Sequence, residues 1–156
     1  MFFDLKKAFD SVPHQLLLKK LAALDLPPAL FQWFKDYLTN RRQQVKVART
    51  TSNQCPAISG VRQGSILGPI LFVYYVDDIN TVKLSKGACL TIYADDICYS
   101  QAVLDQSTFQ DIQHDIDKIM QRAESSKLFF NESKTVWMLL SKKSNSQLTN
   151  AELYLN

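Results

Sequence analysis

No apolar run in this chain approaches the roughly 20 residues that a bilayer-spanning helix needs. The longest, Ile70 to Val76, is short and aromatic-rich. No charged-then-apolar signal peptide opens the sequence. Cysteine is scarce: Cys55, Cys89 and Cys98 are odd in number and show no zinc-type pairing. A disulfide framework or structural zinc is therefore not expected, and a reducing compartment is the default. The two histidines, His14 and His114, lack metal-ligand spacing. There is no internal repeat and no linker to a second domain. Charge of one sign is not in great excess either, since the net is only +3. What remains is an ordinary globular composition, 46% hydrophobic and 21% charged, in a chain of 156 residues, enough for one domain with a core. The basic residues are unevenly spread. Residues 1–50 carry nine Lys/Arg against four Asp, which makes the first third the expected phosphate-facing surface unless these lysines merely solvate helix faces.

Phe2 to Leu5 reads as a strand. Pro13 suits the first turn of a helix whose apolar face is Leu16, Leu17, Leu21 and Leu24. Pro27 and Pro28 open a second helix, Ala29 to about Leu38, with Leu30, Phe31, Phe34, Tyr37 and Leu38 as its buried stripe and Asn40 as its cap. Arg41 to Val47 alternates as an exposed strand, and residues 48–57 are turn-rich. Gly64 and Gly68-Pro69 punctuate a loop that feeds a helix through about Val76. Leu90 to Ser100 reads as a hairpin. Asp105 or Ser107 caps a long helix with Phe109, Ile112, Ile116, Ile119, Met120 and Ala123 at a 3.6-residue period. Leu128 to Leu140 is expected as two short strands around Asn131-Glu132-Ser133-Lys134. Strands mixed with helices around a central antiparallel hairpin imply an α+β fold with helices on one face of a sheet.

The most informative residues are Asp95 and Asp96 at the hairpin turn. Asp is common in turns because its side chain bonds the local backbone. Two neighbouring carboxylates at a sheet edge also repel unless a cation lies between them, and hard oxygen ligands suit Mg²⁺ with substrate phosphates. Asp4 on the first strand can join them if the two strands are neighbours. Asp10 reads instead as a helix cap or first-turn charge, and Asp77–Asp78 as a helix-end or turn pair.

Three blocks occur in order: Phe2-Phe3-Asp4-Leu5-Lys6-Lys7-Ala8-Phe9-Asp10-Ser11-Val12-Pro13-His14, then Ser59-Gly60-Val61-Arg62-Gln63-Gly64-Ser65-Ile66-Leu67-Gly68-Pro69, then Tyr93-Ala94-Asp95-Asp96. Together they resemble the central motifs of reverse transcriptases, most closely those of non-LTR (LINE-like) retrotransposons, from Phe2 to about Ser141. The resemblance implies the palm of an RNA-directed DNA polymerase acting by two-metal nucleotidyl transfer. It implies two Mg²⁺ ions, with Mn²⁺ as a substitute. Asp4 and Asp95 would be the main ligands, Asp96 the supporting carboxylate, and the Leu5 carbonyl a helper. It implies that Lys134 donates a proton to the leaving pyrophosphate, where the plain alternative is a surface lysine. Phe9 would lie under the incoming sugar and exclude a 2′-hydroxyl; without the family it would be a core phenylalanine. Arg62, Gln63 and Gly64 would line the nucleotide and template pocket, and Tyr93 would be part core, part wall beside the primer end.

The implied partners are an RNA template, a DNA primer and deoxynucleoside triphosphates, with no membrane and a nuclear or cytoplasmic site. Residues 1–141 would form the palm and residues 142–156 a polar tail, loose or beginning a strand. The chain opens almost on Asp4, so fingers and thumb are expected to be largely missing and independent activity weak or absent. The other reading is an inactive retroelement remnant with weak or no nucleic-acid binding.

Overall fold

The structure, a computed structural model, describes residues 1–140 and 153–155. In chain order its elements are β1 (Phe2–Asp4), α1 (Ala8–Ser11), α2 (His14–Ala22), α3 (Pro28–Leu38), β2 (Arg42–Gln43), β3 (Lys46–Val47), β4 (Thr50–Thr51), β5 (Cys55–Pro56), α4 (Leu67–Val76), a 3₁₀ helix (Asp77–Thr81), β6 (Ala88–Tyr93), β7 (Asp96–Gln101) and α5 (Thr108–Ser125). The α+β class is as expected. Within it the chain divides into two compact units, Met1–Ala8 with Val76–Asn156, and Phe9–Tyr75. The chain crosses between them within α1 and at the end of α4, not through a Pro/Gly/Ser-rich linker.

The first unit is built on a three-stranded antiparallel sheet in the order β1-β7-β6. Alternation on β7 sends Ile97 and Tyr99 into the core and leaves Asp96, Cys98 and Ser100 on the other face. Leu90 and Ile92 of β6 lie opposite Tyr99 and Ile97, and Phe3 of β1 lies opposite Ile97, so the core face is continuous across all three strands. α5 covers it with Ile112, Ile116, Ile119 and Ala123 at the expected period. Of the two candidate caps for α5, Asp105 makes the bond: its Oδ1 accepts from the Thr108 amide at 3.0 Å, while Ser107 makes no capping bond to the helix.

Asp115 is wholly buried at the centre of this unit. Burial alone would raise its carboxyl pKa. The Ser85 amide (2.8 Å), the Lys118 ammonium (3.2 Å), the Ser85 hydroxyl (3.0 Å) and the Tyr99 hydroxyl (3.0 Å) outweigh burial and hold it below the usual carboxylate range. The network ties α5, β7 and the loop before β6 together. The 3₁₀ helix is held to α5 by Arg122, which meets the Asp78 carboxylate at 3.2 Å, so Asp77–Asp78 is the helix-end pair expected.

Two expectations for this unit change. The segment Leu128 to Leu140 forms only single bridges, Phe130 to Leu5 and Val136 to Phe2, because the turn at residues 132–134 puts six residues opposite three and interrupts the pairing. The tail expected from residue 142 lies outside the described residues except at 153–155, where Tyr154 exchanges two 2.9 Å hydrogen bonds with Gln113.

In the second unit α2 and α3 pack together with α4 over Val12, Leu17, Leu21, Leu38, Val61, Leu71 and Phe72. Lys20 fastens α2 to α4, donating to the Tyr74 and Tyr75 carbonyls at 2.9 and 2.8 Å. Gly60 is required where it is: its φ is +92°, and a Cβ there would lie 3.0 Å from the Asp10 Cα and 3.1 Å from its carbonyl oxygen. α2 ends at Ala22, so Leu24 is about half exposed and not part of its apolar face. The exposed strand expected over Arg41 to Val47 is broken into β2 and β3, which pair separately with β5 and β4. The buried stripe of α3 reduces to Leu38; Phe31, Phe34 and Tyr37 are half-buried and Leu30 is exposed. Asn40 follows α3 in the left-handed region (φ 57°), as a residue just past a helix end does.

Asp115→Asn is expected to destabilise the fold by about 3 kcal/mol, the order found when one partner of a buried ionic network is lost. Because the folded carboxyl is held below its ordinary value of 3.8, its contribution is complete above that value and fades as pH falls through the lower folded value. Urea unfolding at neutral and acid pH should show this acid loss in the parent chain and a flatter profile in Asp115→Asn.

Candidate active site

The pairing of β1 with β7 places Asp4 directly opposite Asp96, both on the face turned away from α5. Tyr93 pairs with Asp96 on the other side, which leaves Ala94 and Asp95 as a two-residue hairpin loop. Ala94 takes φ 53°, the left-handed region that such short hairpins need and that an L side chain occupies at a cost of order 1 kcal/mol. The aspartate pair is therefore split by the fold. Asp95 stands at the tip of the turn, and Asp96 is the first residue of β7. Both are exposed, and Asp4 is half-buried with 40% of its side chain open.

Like charges directly opposite on neighbouring strands repel. Lys134 offsets this: its ammonium lies 3.7 Å from Asp4 Oδ2, with most of its own length in solvent. Among the described residues, no three His, Cys, Asp or Glu side chains converge closely enough to form a metal-binding group. The donor chemistry is that of hard oxygen ligands, with Asp4, Asp95 and Asp96 at one end of the sheet.

Asp4 is held by residues that the sequence did not mark. The Asn131 amide donates to the Asp4 carbonyl at 2.7 Å, and the Asp4 amide donates to Thr135 Oγ1 at 3.4 Å. No periodicity could signal them, since they lie more than 120 residues away in the chain. The same turn carries Lys134. Leu5 has a buried side chain and bridges to Phe130. Tyr93 is 81% exposed, which removes the core half of its expected role: it is on the outward face of β6, beside the turn.

Phe9, Arg62, Gln63 and Gly64 belong to the other unit. Phe9 is half-buried and stacked on Phe72, with centroids 4.4 Å apart. Arg62, Gln63 and Gly64 are exposed on the loop before α4. Ser65 organises that loop: its Oγ donates to the Arg62 carbonyl at 2.8 Å and accepts from the Tyr37 hydroxyl and the Gly68 amide at 2.8 and 3.0 Å. A Cβ on Gly68 would lie 2.2 Å from the Arg62 carbonyl oxygen, so only glycine lets the loop fold back here. Asp10 lies exposed within α1, and His14 Nε2 donates to the Gly60 carbonyl at 2.7 Å.

A family model described as "Reverse transcriptase (RNA-dependent DNA polymerase)" matches residues 1–150. The chain belongs to the reverse transcriptase family. It is 32% identical over 141 residues to the RNA-directed DNA polymerase from mobile element jockey of Drosophila melanogaster, covering 85% of this chain and 15% of that protein. It is 40% identical over 112 residues to the jockey polymerase of Drosophila funebris, covering 69% of this chain and 12% of that one. A probable RNA-directed DNA polymerase from transposon X-element of Drosophila melanogaster is 37% identical over 100 residues, covering 63% of this chain and 11% of its own length. These relatives agree with the non-LTR likeness read from the motifs. This reverse transcriptase chain spans 11% to 15% of the curated relatives it matches.

Asp96→Asn removes one charge from the opposed pair and should stabilise the fold by about 0.2–1 kcal/mol in metal-free buffer. Thermal melts in EDTA at low and high salt check this, since screening by salt should shrink the gain.

Proposed function

We propose that this chain carries the nucleotidyl-transfer centre of an RNA-directed DNA polymerase, extending a DNA primer on an RNA template with deoxynucleoside triphosphates. The observation that supports it most is the register of Asp4 opposite Asp96 with Asp95 on the adjoining turn. Carboxylates from separate segments of chain reach one sheet edge, as phosphoryl transfer by cation clamping requires. Asp4 and Asp95 would be the main ligands of two Mg²⁺ ions, with Asp96 and the Leu5 carbonyl in support. Divalent cations held there would supply charge neutralisation for the attacking and leaving oxygens.

The side chains do the rest by position. Lys134, already drawn to Asp4, is suited to protonate the departing pyrophosphate oxygen, a contribution of about 10²–10⁴ in rate. Phe9 selects deoxyribose by crowding a 2′-hydroxyl, and Arg62, Gln63 and Gly64 contact nucleotide and template. Tyr93 forms a wall for the primer end. Residues 1–141 make up this palm. Substrate alignment contributes much of such catalysis, so the chain by itself is expected to extend primers weakly.

Two measurements test the reading. Mn²⁺ titration followed by electron paramagnetic resonance should show bound ion in the chain and none in Asp4→Asn/Asp95→Asn. Primer extension on an RNA template should be weak but measurable, absent in Asp95→Ala and reduced at least tenfold in Lys134→Met. Bound Mn²⁺ that survives loss of both aspartates would sink the assignment.

A further inference from the structure

The two edges of the β1-β7-β6 sheet are finished differently. On the outer side of β1, the Phe130 and Val136 bridges occupy the edge. β6 has β7 on one side and no strand on the other. The groups it leaves open follow from the pairing. Tyr99 turns its amide and carbonyl towards the β1 side, where they meet Met1 at 2.9 and 2.7 Å. Leu90 stands opposite Tyr99, so its own amide and carbonyl point the other way, out of the sheet. With a period of two, the same holds for Ala88 and Ile92. The Ala88 amide is taken by the Ser85 carbonyl at 3.1 Å. Among the described residues, no hydrogen bond reaches the outward amides and carbonyls of Leu90 and Ile92.

Natural edge strands are blunted by charge, proline, a bulge or shortness. β6 has none of these. It runs for six residues, Ala88-Cys89-Leu90-Thr91-Ile92-Tyr93, in unbroken register. Such an edge accepts another strand, and a second copy of β6 completes it. Antiparallel pairing about a two-fold axis at Thr91 sets Leu90 of each copy opposite Ile92 of the other. The free amides and carbonyls are then all used, and the engaged Ala88 amide is not needed. The half-buried Leu90 and Ile92 side chains meet on the core face, and the exposed Thr91 faces its own counterpart on the open face. Charge agrees with this alignment. Lys86 precedes the strand and Asp95 follows it, both exposed. The two-fold axis brings each Lys86 beside the hairpin tip of the other copy, where Asp95 stands. Among the described residues, neither has an ion-pair partner within its own copy.

We propose that β6 is a dimerisation edge: two copies of this chain join their β6 strands antiparallel about Thr91 into one continuous sheet. The assembly closes on itself, because the bare edge of each copy is spent in forming it. It stands apart from the polymerase reading, since it requires no cation, nucleotide or nucleic acid.

Sedimentation equilibrium of the full chain in EDTA, over a concentration series, should show a monomer–dimer equilibrium and nothing larger. Thr91→Lys sets like charges face to face across the axis and should weaken the dimer about fivefold. Ser100→Lys puts the same charge on the same face one strand further in and should leave the dimer unchanged. Lys86→Glu should weaken it, and Lys86→Glu/Asp95→Lys should restore it. Thr91→Cys places two thiols at a non-hydrogen-bonded pair, whose Cα spacing a disulfide spans. Mild oxidation should then link the two copies at residue 91. Thr91 and Ser100 are exposed, so circular dichroism of these variants should match the parent. A monomer at every concentration, growth into larger species, or a dimer indifferent to Thr91→Lys would each overturn the edge. Equal weakening by Ser100→Lys, or no disulfide at residue 91, would overturn it as well.

Discussion

The register between β1 and β7 governs the rest of the first unit. β7 is bonded on both edges, to β1 and to β6, so one alignment sets three strands at once. Side chains alternate with a period of two, and a slip of one residue would turn Ile97 and Tyr99 to solvent and drive Asp96 into the core. The apolar face that α5 covers therefore specifies where the carboxylates stand. Burying Phe3, Ile97 and Tyr99 and exposing Asp4 and Asp96 are one structural decision, not two.

The two sides of that sheet treat negative charge in opposite ways. On the covered side Asp115 is surrounded by donors, and every lone pair is directed at a neighbour that stabilises it. On the open side Asp4 and Asp96 face each other with one solvated lysine near them. A fold shaped for stability alone would not oppose two carboxylates across a strand pair. The strained Ala94 adds to that local expense. Opposed charge that Lys134 only partly offsets, and backbone strain at Ala94, set this end of the sheet apart from the well-satisfied interior.

Much of this was legible in the chain. The period of α5, the hairpin, the first strand and the helix from Pro28 all follow from local pattern, and the three motif blocks named the family before any geometry. Other features were not legible. Whether Asp105 or Ser107 caps α5 depends on side-chain reach that pattern cannot order. The strands expected after Leu128 shrank to single bridges because the turn at residues 132–134 sets six residues against three of the first strand. The apolar stripe of α3 suggested burial, but only Leu38 finds a core, since periodicity reports which residues share a face and not whether anything covers it. The division into two units left no linker to read, because the chain passes between them through helices.

The turn at residues 132–134 is exposed and short, the kind of surface loop where insertions are ordinarily absorbed. Its ends, however, hold the backbone of Asp4 on both sides, through the Asn131 amide and the Thr135 hydroxyl, and its last residue carries the ammonium that meets the carboxylate. Loop length here is thus a ruler for the site. One residue more would shift a charge relative to its partner, so this stretch of surface is under the same constraint as the core.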